Sequence, residues 1–215
     1  MKKPKYKVTF LLDKTNLWFE KQLKNCDFKL SHKYIFRISK NSNNIKNQDI
    51  VFPLSYTKRL PESFLRKNKL VLIAHPSKLP KDKGFAPIQY QILKNKKKIH
   101  LSLIKAVNRV DAGPICLQNQ FVLDGTELSD EIRQIQGLQF IKIIKNFLSK
   151  YPNINFKNQF GKGNFNKRRH PKDSELNINK TIKQQFNHLR INDNELYPSF
   201  FYFNSKKYII KIYKE

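Results

Sequence analysis

Glycine is scarce, with six in 215 residues, and the chain holds one methionine, one tryptophan and two cysteines. No Gly-rich dinucleotide fingerprint is present, so a nicotinamide role gets no support. Cys26 and Cys116 cannot build a disulfide framework or a zinc centre alone, and no bound metal is expected. No apolar run approaches the roughly 20 residues of a membrane helix. The stretch Val8 to Leu12 is interrupted by Thr9 and ended by Asp13, too short for a secretory signal. No membrane association and a cytoplasmic address are the expectations. Acidic residues are few as well: 16 Asp and Glu stand against 43 Lys and Arg, a net charge of +27. Arginine contributes little of it, with 35 Lys, 8 Arg and 22 Asn. Arg is the planar fork that reads phosphate and guanine. A Lys- and Asn-rich, Arg-poor chain also fits a codon-biased, solvated surface, and the basic residues are spread over the whole sequence. A solvated surface is favoured, then a phosphate-bearing small substrate; polymeric nucleic acid is the least favoured partner.

Against these shortages stand 39% hydrophobic and 13% aromatic residues, enough for a core. The length suits one domain, or one with a small appendage. Strands are expected at Lys7 to Leu12, Tyr34 to Ile38, Asp49 to Leu54, Leu70 to Ala74 and Ile99 to Val107. Helical spacing marks Thr15 to Leu23, Pro87 to Leu93 and Ser129 to Leu148, the last with Ser129 as its cap. This alternation predicts an α/β, Rossmann-like, mostly parallel sheet with helices on both faces. Between Tyr151 and His170 the composition shifts to Pro, Gly and Asn, which places a boundary there. The expected division is a catalytic domain over 1–160 and a C-terminal extension over 161–215. That extension should hold a helix at Ile178 to Arg190 and a hairpin pairing Phe200 to Phe203 with Tyr208 to Tyr213 across Asn204 and Ser205.

Chemistry concentrates between Ala74 and Gly113. His75 follows a buried strand, where open α/β sheets place their ligands. Asp111 stands in a second loop after a second strand, followed by Ala112, Gly113 and Pro114. A carboxylate that orients an imidazole and favours its charged form makes a natural acid–base pair. Singly, a loop His or a turn Asp has an ordinary structural explanation. Trp18 and the Phe residues read as core.

His75-Pro76-Ser77-Lys78-Leu79-Pro80 resembles the H-x-S-L-L-P loop of formyltransferases that use 10-formyltetrahydrofolate. Gly84 to Gln89 resembles the R-G-A-A-P-I-Q segment that follows it in methionyl-tRNA formyltransferase, and Asp111 to Ile115 the D-x-G-x-I loop. The separation of 36 residues between His75 and Asp111 is that of the family. Tyr56 to Pro61 is similar to the Y-x-x-I-L-P loop that lines the folate pocket. Arg168 to Leu176, Asn187 to Arg190 and Tyr197 to Phe200 resemble elements of sugar N-formyltransferases, so the resemblance covers about residues 45 to 215.

The resemblance implies catalytic roles for His75 and Asp111 and folate contacts from Tyr56, Leu60, Pro61 and Val110. Acceptor contacts are assigned to Lys14, Thr15, Asn16, Ser77 and Tyr197. Lys14 to Asn16 also read as a plain helix start, and Tyr197 equally as packing. One position departs from the family: where N-x-H is usual, the residue two before His75 is Ile73. The missing amide is an oxyanion donor in the family, and loss of such a donor costs about 10²–10³ in rate. Asn108, ahead of Ser102, is the expected replacement. The implied reaction moves a formyl group from 10-formyltetrahydrofolate to the amine of a nucleotide-linked amino-deoxy sugar, with a homodimer through the C-terminal hairpin as an option. Methionyl-tRNA formylation, glycinamide ribonucleotide formylation and a non-catalytic folate- or nucleotide-binding module are the alternatives.

Overall fold

Strand β1 (Tyr6–Leu12) is apolar on both faces, and burial follows on both. The computed structural model describes residues 5–14, 17–26, 28 and 32–215, without the side chain of Leu17. After β1 come α1 (Leu17–Lys24), β2 (Tyr34–Ser39), β3 (Ile50–Leu54), α2 (Glu62–Arg66), β4 (Leu72–His75), β5 (Lys83–Gly84) and α3 (Pro87–Leu93). Then follow β6 (Lys98–Lys105), β7 (Ile115–Val122), α4 (Ser129–Lys150), β8 (Phe165–Asn166), α5 (Ile182–Arg190), β9 (Ser199–Phe203) and β10 (Lys206–Ile210).

β1 lies between β2 and β3, parallel to both. A parallel bridge from Val51 to Val71 joins β3 to the start of β4. Beyond β4 the direction reverses: β6 runs antiparallel to β4, and β7 antiparallel to β6. The sheet is thus parallel on one side of β4 and antiparallel on the other. A bulge at Cys116 shifts the register, so that Leu103 faces Leu117 while Ile104 faces Ile115.

The side-chain alternation of the strands sorts the core into layers. Val8, Phe10 and Leu12 of β1, with Phe52, Leu72 and Leu103, meet Phe19 of α1 and Phe140, Ile144 and Phe147 of α4. Leu11, Val51 and Val71 point the other way, onto Phe64 of α2. A third cluster joins Ile88 and Ile92 of α3 to Phe121, Ile132 and Ile191. Each fully buried Leu, Ile or Phe contributes roughly 1.5–3 kcal/mol of transfer free energy.

Two helix starts differ from expectation. The cap of α4 is Leu128, not Ser129: the Glu131 carboxylate accepts the Leu128 N–H at 2.8 Å and satisfies an N-terminal donor. Helix α5 starts at Ile182 rather than Ile178, because Thr181 and Gln184 form a reciprocal capping box. The hairpin β9–β10 forms across Asn204 and Ser205, both at positive φ as a type I′ turn needs, but its second strand is Lys206–Ile210, starting and ending earlier than the expected Tyr208 to Tyr213.

The expected division at 160/161 marks a change of composition rather than a gap in contacts. Lys157 bridges to Ile115, and β8 pairs in parallel with β5. Farther on, the buried Arg190 guanidinium donates to the Glu127 carbonyl at 3.1 Å, and Ile191 enters the third cluster.

Candidate active site

Ile73 and His75 share one face of β4, since side chains two apart point the same way. His75 is buried, and its Nε2 lies 2.9 Å from the Asp82 carbonyl oxygen. A carbonyl only accepts, so Nε2 bears a proton; the tautomer is assigned from this bond. Nδ1 is left facing Asp111 Oδ2 at 3.6 Å, an ion-pair distance too long for a hydrogen bond.

Asp111 sits in the loop between β6 and β7 with φ at 49°, a conformation that Asp tolerates better than most residues. Its Oδ2 accepts the Gly84 N–H at 2.8 Å. The Gln159 side-chain amide donates to the carbonyls of Asp111 and Gly113, both at 2.8 Å, and pins the loop from below. The last residue of β4 and the loop after β6 therefore bring an imidazole and a carboxylate together at the floor of a cavity.

That cavity encloses about 670 Å³, within the range of small-molecule sites. Ile73, Ile104, Tyr56, Leu60 and Phe140 form apolar wall, and Lys58, Arg59, Lys105 and Arg109 stand exposed at the rim. Such a rim attracts anionic groups. Arg59 donates to the Asn108 side-chain oxygen at 3.1 Å and to its carbonyl at 3.3 Å.

The expected site residues divide into groups. His75, Asp111, Tyr56, Leu60, Val110 and Asn108 all line the cavity. Asn108 is exposed and bound by Arg59 at the mouth, so its place is the rim rather than the floor. Pro61 lies outside the lining, exposed at the start of α2. Lys14 is exposed and also outside the lining, while Thr15 and Asn16 lie outside the described residues.

Ser77 requires a correction. It is fully buried, its hydroxyl donates to the Lys81 carbonyl at 2.7 Å, and its carbonyl accepts from Ser102 Oγ at 2.7 Å. It therefore holds the His75 loop and cannot meet an acceptor. Ser102 is committed too, since its hydroxyl accepts from the Gln118 amide at 2.9 Å. Tyr197 stands outside the cavity on the surface, and its neighbour Leu196 lines the cavity instead.

Sequence reasoning missed several residues of the site. Gln159 is one. Gln136 is another: it lies on α4 and lines the cavity, and its side chain makes no hydrogen bond with another described residue. Asp82 is a third: burial pushes its carboxyl up, but hydrogen bonds from Lys94 and Asn164, with Lys96 nearby, outweigh that and hold it below the usual value. None of these carried a signal in the sequence, because each is a polar residue among many.

Comparison with known proteins places this geometry. Residues 37–136 match the family model described as formyl transferase. Methionyl-tRNA formyltransferase of Thermotoga neapolitana is 36% identical over 89 residues, which cover 41% of this chain and 28% of that protein. The chain thus spans under a third of the length of that curated relative. Methionyl-tRNA formyltransferase from Clostridium thermocellum superposes with a TM-score of 0.77 at 21% identity, over 94% of this chain and 90% of that one. A sugar N-formyltransferase from Shewanella sp FDAARGOS_354 superposes with a TM-score of 0.71 at 17% identity, over 98% of both chains. At these identities the structural likeness is one of fold. The matched stretch contains both members of the His75–Asp111 pair, so the likeness to the formyl transferase family covers the site.

Proposed function

We propose that this chain transfers a formyl group from 10-formyltetrahydrofolate to the primary amine of a nucleotide-linked amino-deoxy sugar. The carrying observation is the His75–Asp111 pair at the floor of the cavity. The apolar wall at Tyr56, Leu60, Ile73 and Ile104 suits a flat heteroaromatic ring, and the basic rim suits carboxylates or a diphosphate. These residues fit a folate. The folate supplies the formyl carbon; the chain's own groups supply position and proton transfer. With Nε2–H held by the Asp82 carbonyl, Nδ1 is the nitrogen free to take a proton from the attacking amine. The Asp111 carboxylate then faces the imidazolium at Nδ1 and stabilises it. The same ring returns the proton toward the folate nitrogen that leaves. Holding amine and formyl carbon together supplies much of the acceleration.

A sugar acceptor is favoured by the segments Arg168 to Leu176, Asn187 to Arg190 and Tyr197 to Phe200, which resemble elements of sugar N-formyltransferases. A methionyl-tRNA acceptor is the second reading. It is favoured by the Thermotoga relative and by the charge of +27.

Two assays separate them. Formyl transfer is measured by mass spectrometry with 10-formyltetrahydrofolate and a panel of UDP-, dTDP-, GDP- and CMP-linked amino sugars. Binding of tRNA is measured in parallel at two salt concentrations, since phosphate contacts weaken steeply with salt. Turnover with one nucleotide sugar supports the first reading. Salt-sensitive tRNA binding with formylation of methionyl-tRNA and no sugar turnover replaces it with the second.

A further inference from the structure

The imidazole of His75 is held by a backbone carbonyl, and what holds that carbonyl comes from far along the chain. The Asp82 carbonyl and the Lys83 N–H belong to one planar peptide unit. The carbonyl accepts from His75 Nε2 at 2.9 Å, and the N–H donates to the Asn164 carbonyl at 3.1 Å. In a planar trans unit the two groups point opposite ways, so fixing the N–H fixes the direction of the carbonyl. The Asn164 side chain grips the same residue twice more. Its Oδ1 accepts the Asp82 N–H at 2.9 Å, and its Nδ2 donates to Asp82 Oδ1 at 3.2 Å. Asp82 has a φ of 54°, a left-handed conformation that Asp tolerates better than most residues, and the Asn164 bonds hold it there. Lys94 adds an ion pair to Oδ1 at 3.0 Å.

One residue farther, the Gly84 N–H holds Asp111 Oδ2 at 2.8 Å. Residues 82 to 84 thus present a carbonyl to the imidazole and an N–H to the carboxylate. The β5–β8 pairing seats them on 165–166. Gly163 lies so close that a Cβ there would stand 2.4 Å from the Pro80 carbonyl oxygen.

We infer that the strap from Gly163 to Asn166 is a positioning device, in which Asn164, acting through Asp82, selects the Nε2–H tautomer of His75 and so leaves Nδ1 as the working nitrogen. Neither Asn164 nor Asp82 needs to touch a substrate. The role in turnover rests on the proposed formyl transfer, whereas the tautomer can be read without it.

The test uses the full chain labelled with ¹⁵N-histidine, with His75 assigned by its loss in His75→Ala. ¹⁵N spectra tell the protonated ring nitrogen from the bare one. In the wild type, neutral His75 carries its proton on Nε2. Asn164→Asp keeps the size of the side chain but sets a carboxylate against that of Asp82. Gly163→Ala lifts the strap by a clash with Pro80. Each is expected to move the neutral ring toward Nδ1–H, where Asp111 is the acceptor, and to lower kcat by on the order of 10²-fold with KM for the formyl donor near wild type. The double variant Asp82→Asn/Asn164→Asp restores a side-chain hydrogen bond with its donor reversed, and is expected to bring back both tautomer and kcat.

An unchanged Nε2–H signal in folded Asn164→Asp and Gly163→Ala overturns the inference whatever the turnover. If one variant fails to fold, the other decides. A tautomer that moves and is rescued in a protein without formyl transfer upholds the strap and removes the proposed reaction.

Discussion

Gly113 lies so tightly under Lys105 that a Cβ on Gly113 would come within 1.7 Å of the Lys105 carbonyl oxygen. The obstacle is backbone in β6, which cannot swing aside as a side chain could. The neighbouring Lys105 N–H also donates to the Pro114 carbonyl at 2.9 Å, so both loop ends are stitched at this point. Gly113→Ala is expected to cost about 2–3 kcal/mol of stability. Urea unfolding of the two proteins measures it, and an unchanged midpoint would show that the loop yields freely.

Removal of either member of the acid–base pair should stop the proposed reaction without unfolding the chain. His75→Ala and Asp111→Asn are each expected to lower turnover by about 10²–10⁴-fold, with melting temperatures near wild type. Near-normal turnover in both would sink the assignment of these roles.

Ile73 places an apolar side chain on the cavity wall, in register with Ile104 and two residues before His75. Ile73→Asn would put an amide donor on that wall. An oxyanion donor in such a site is worth about 10²–10³ in rate, so the variant is expected to raise kcat measurably while lowering stability. A fall in kcat would mean that another donor already occupies this function; Gln136 is then the side chain to replace next.

Stability should decline at both ends of the pH scale, for different groups. Asp82 and Asp193 are held below the usual carboxylate value. Burial pushes each up but is outweighed by hydrogen bonds: from Lys94 and Asn164 to Asp82, and from the Leu196 N–H and Arg133 to Asp193. A carboxylate with a depressed folded value stabilises the fold above its unfolded value of about 3.9 and ceases to as pH falls through the folded one. At the other end, burial with Tyr151 and Tyr6 nearby pushes the Tyr34 hydroxyl up to about 12. The unfolded chain releases that proton near pH 10, so the contribution is lost between pH 10 and about 12. Denaturant midpoints measured at about pH 3, 7 and 11 should peak at the middle value. Asp82→Asn should flatten the acid side, and Tyr34→Phe the alkaline side.

Much of this arrangement was legible from residue order, for definable reasons. A strand buried on both faces reads as a continuous apolar run, so β1, β3 and β4 were visible. His75 and Asp111 stood out because two loops at a fixed separation carried them between recognisable neighbours. Strand direction was not visible, since the pattern of β6 is the same whichever way it runs. Ser77 misled because a motif Ser is equally suited to gripping its own loop. The grip of Gln159 on Asp111 spans 48 residues and that of Asn164 on Asp82 spans 82. With 22 Asn in the chain, no local pattern marks the one that matters. The change of composition after Tyr151 suggested a boundary where the structure has a return path.

That return path has a consequence for biosynthesis. A growing chain can assemble the whole six-stranded sheet once β7 has left the ribosome, and α4 can cover it soon after. The imidazole then still waits for Asn164, and the loop of Asp111 for Gln159. Sheet and chemistry are thus supplied by different lengths of chain: a product ending at Tyr151 contains every strand of that sheet yet lacks both side chains that set its acid–base pair, and Ile191 of the third cluster with them.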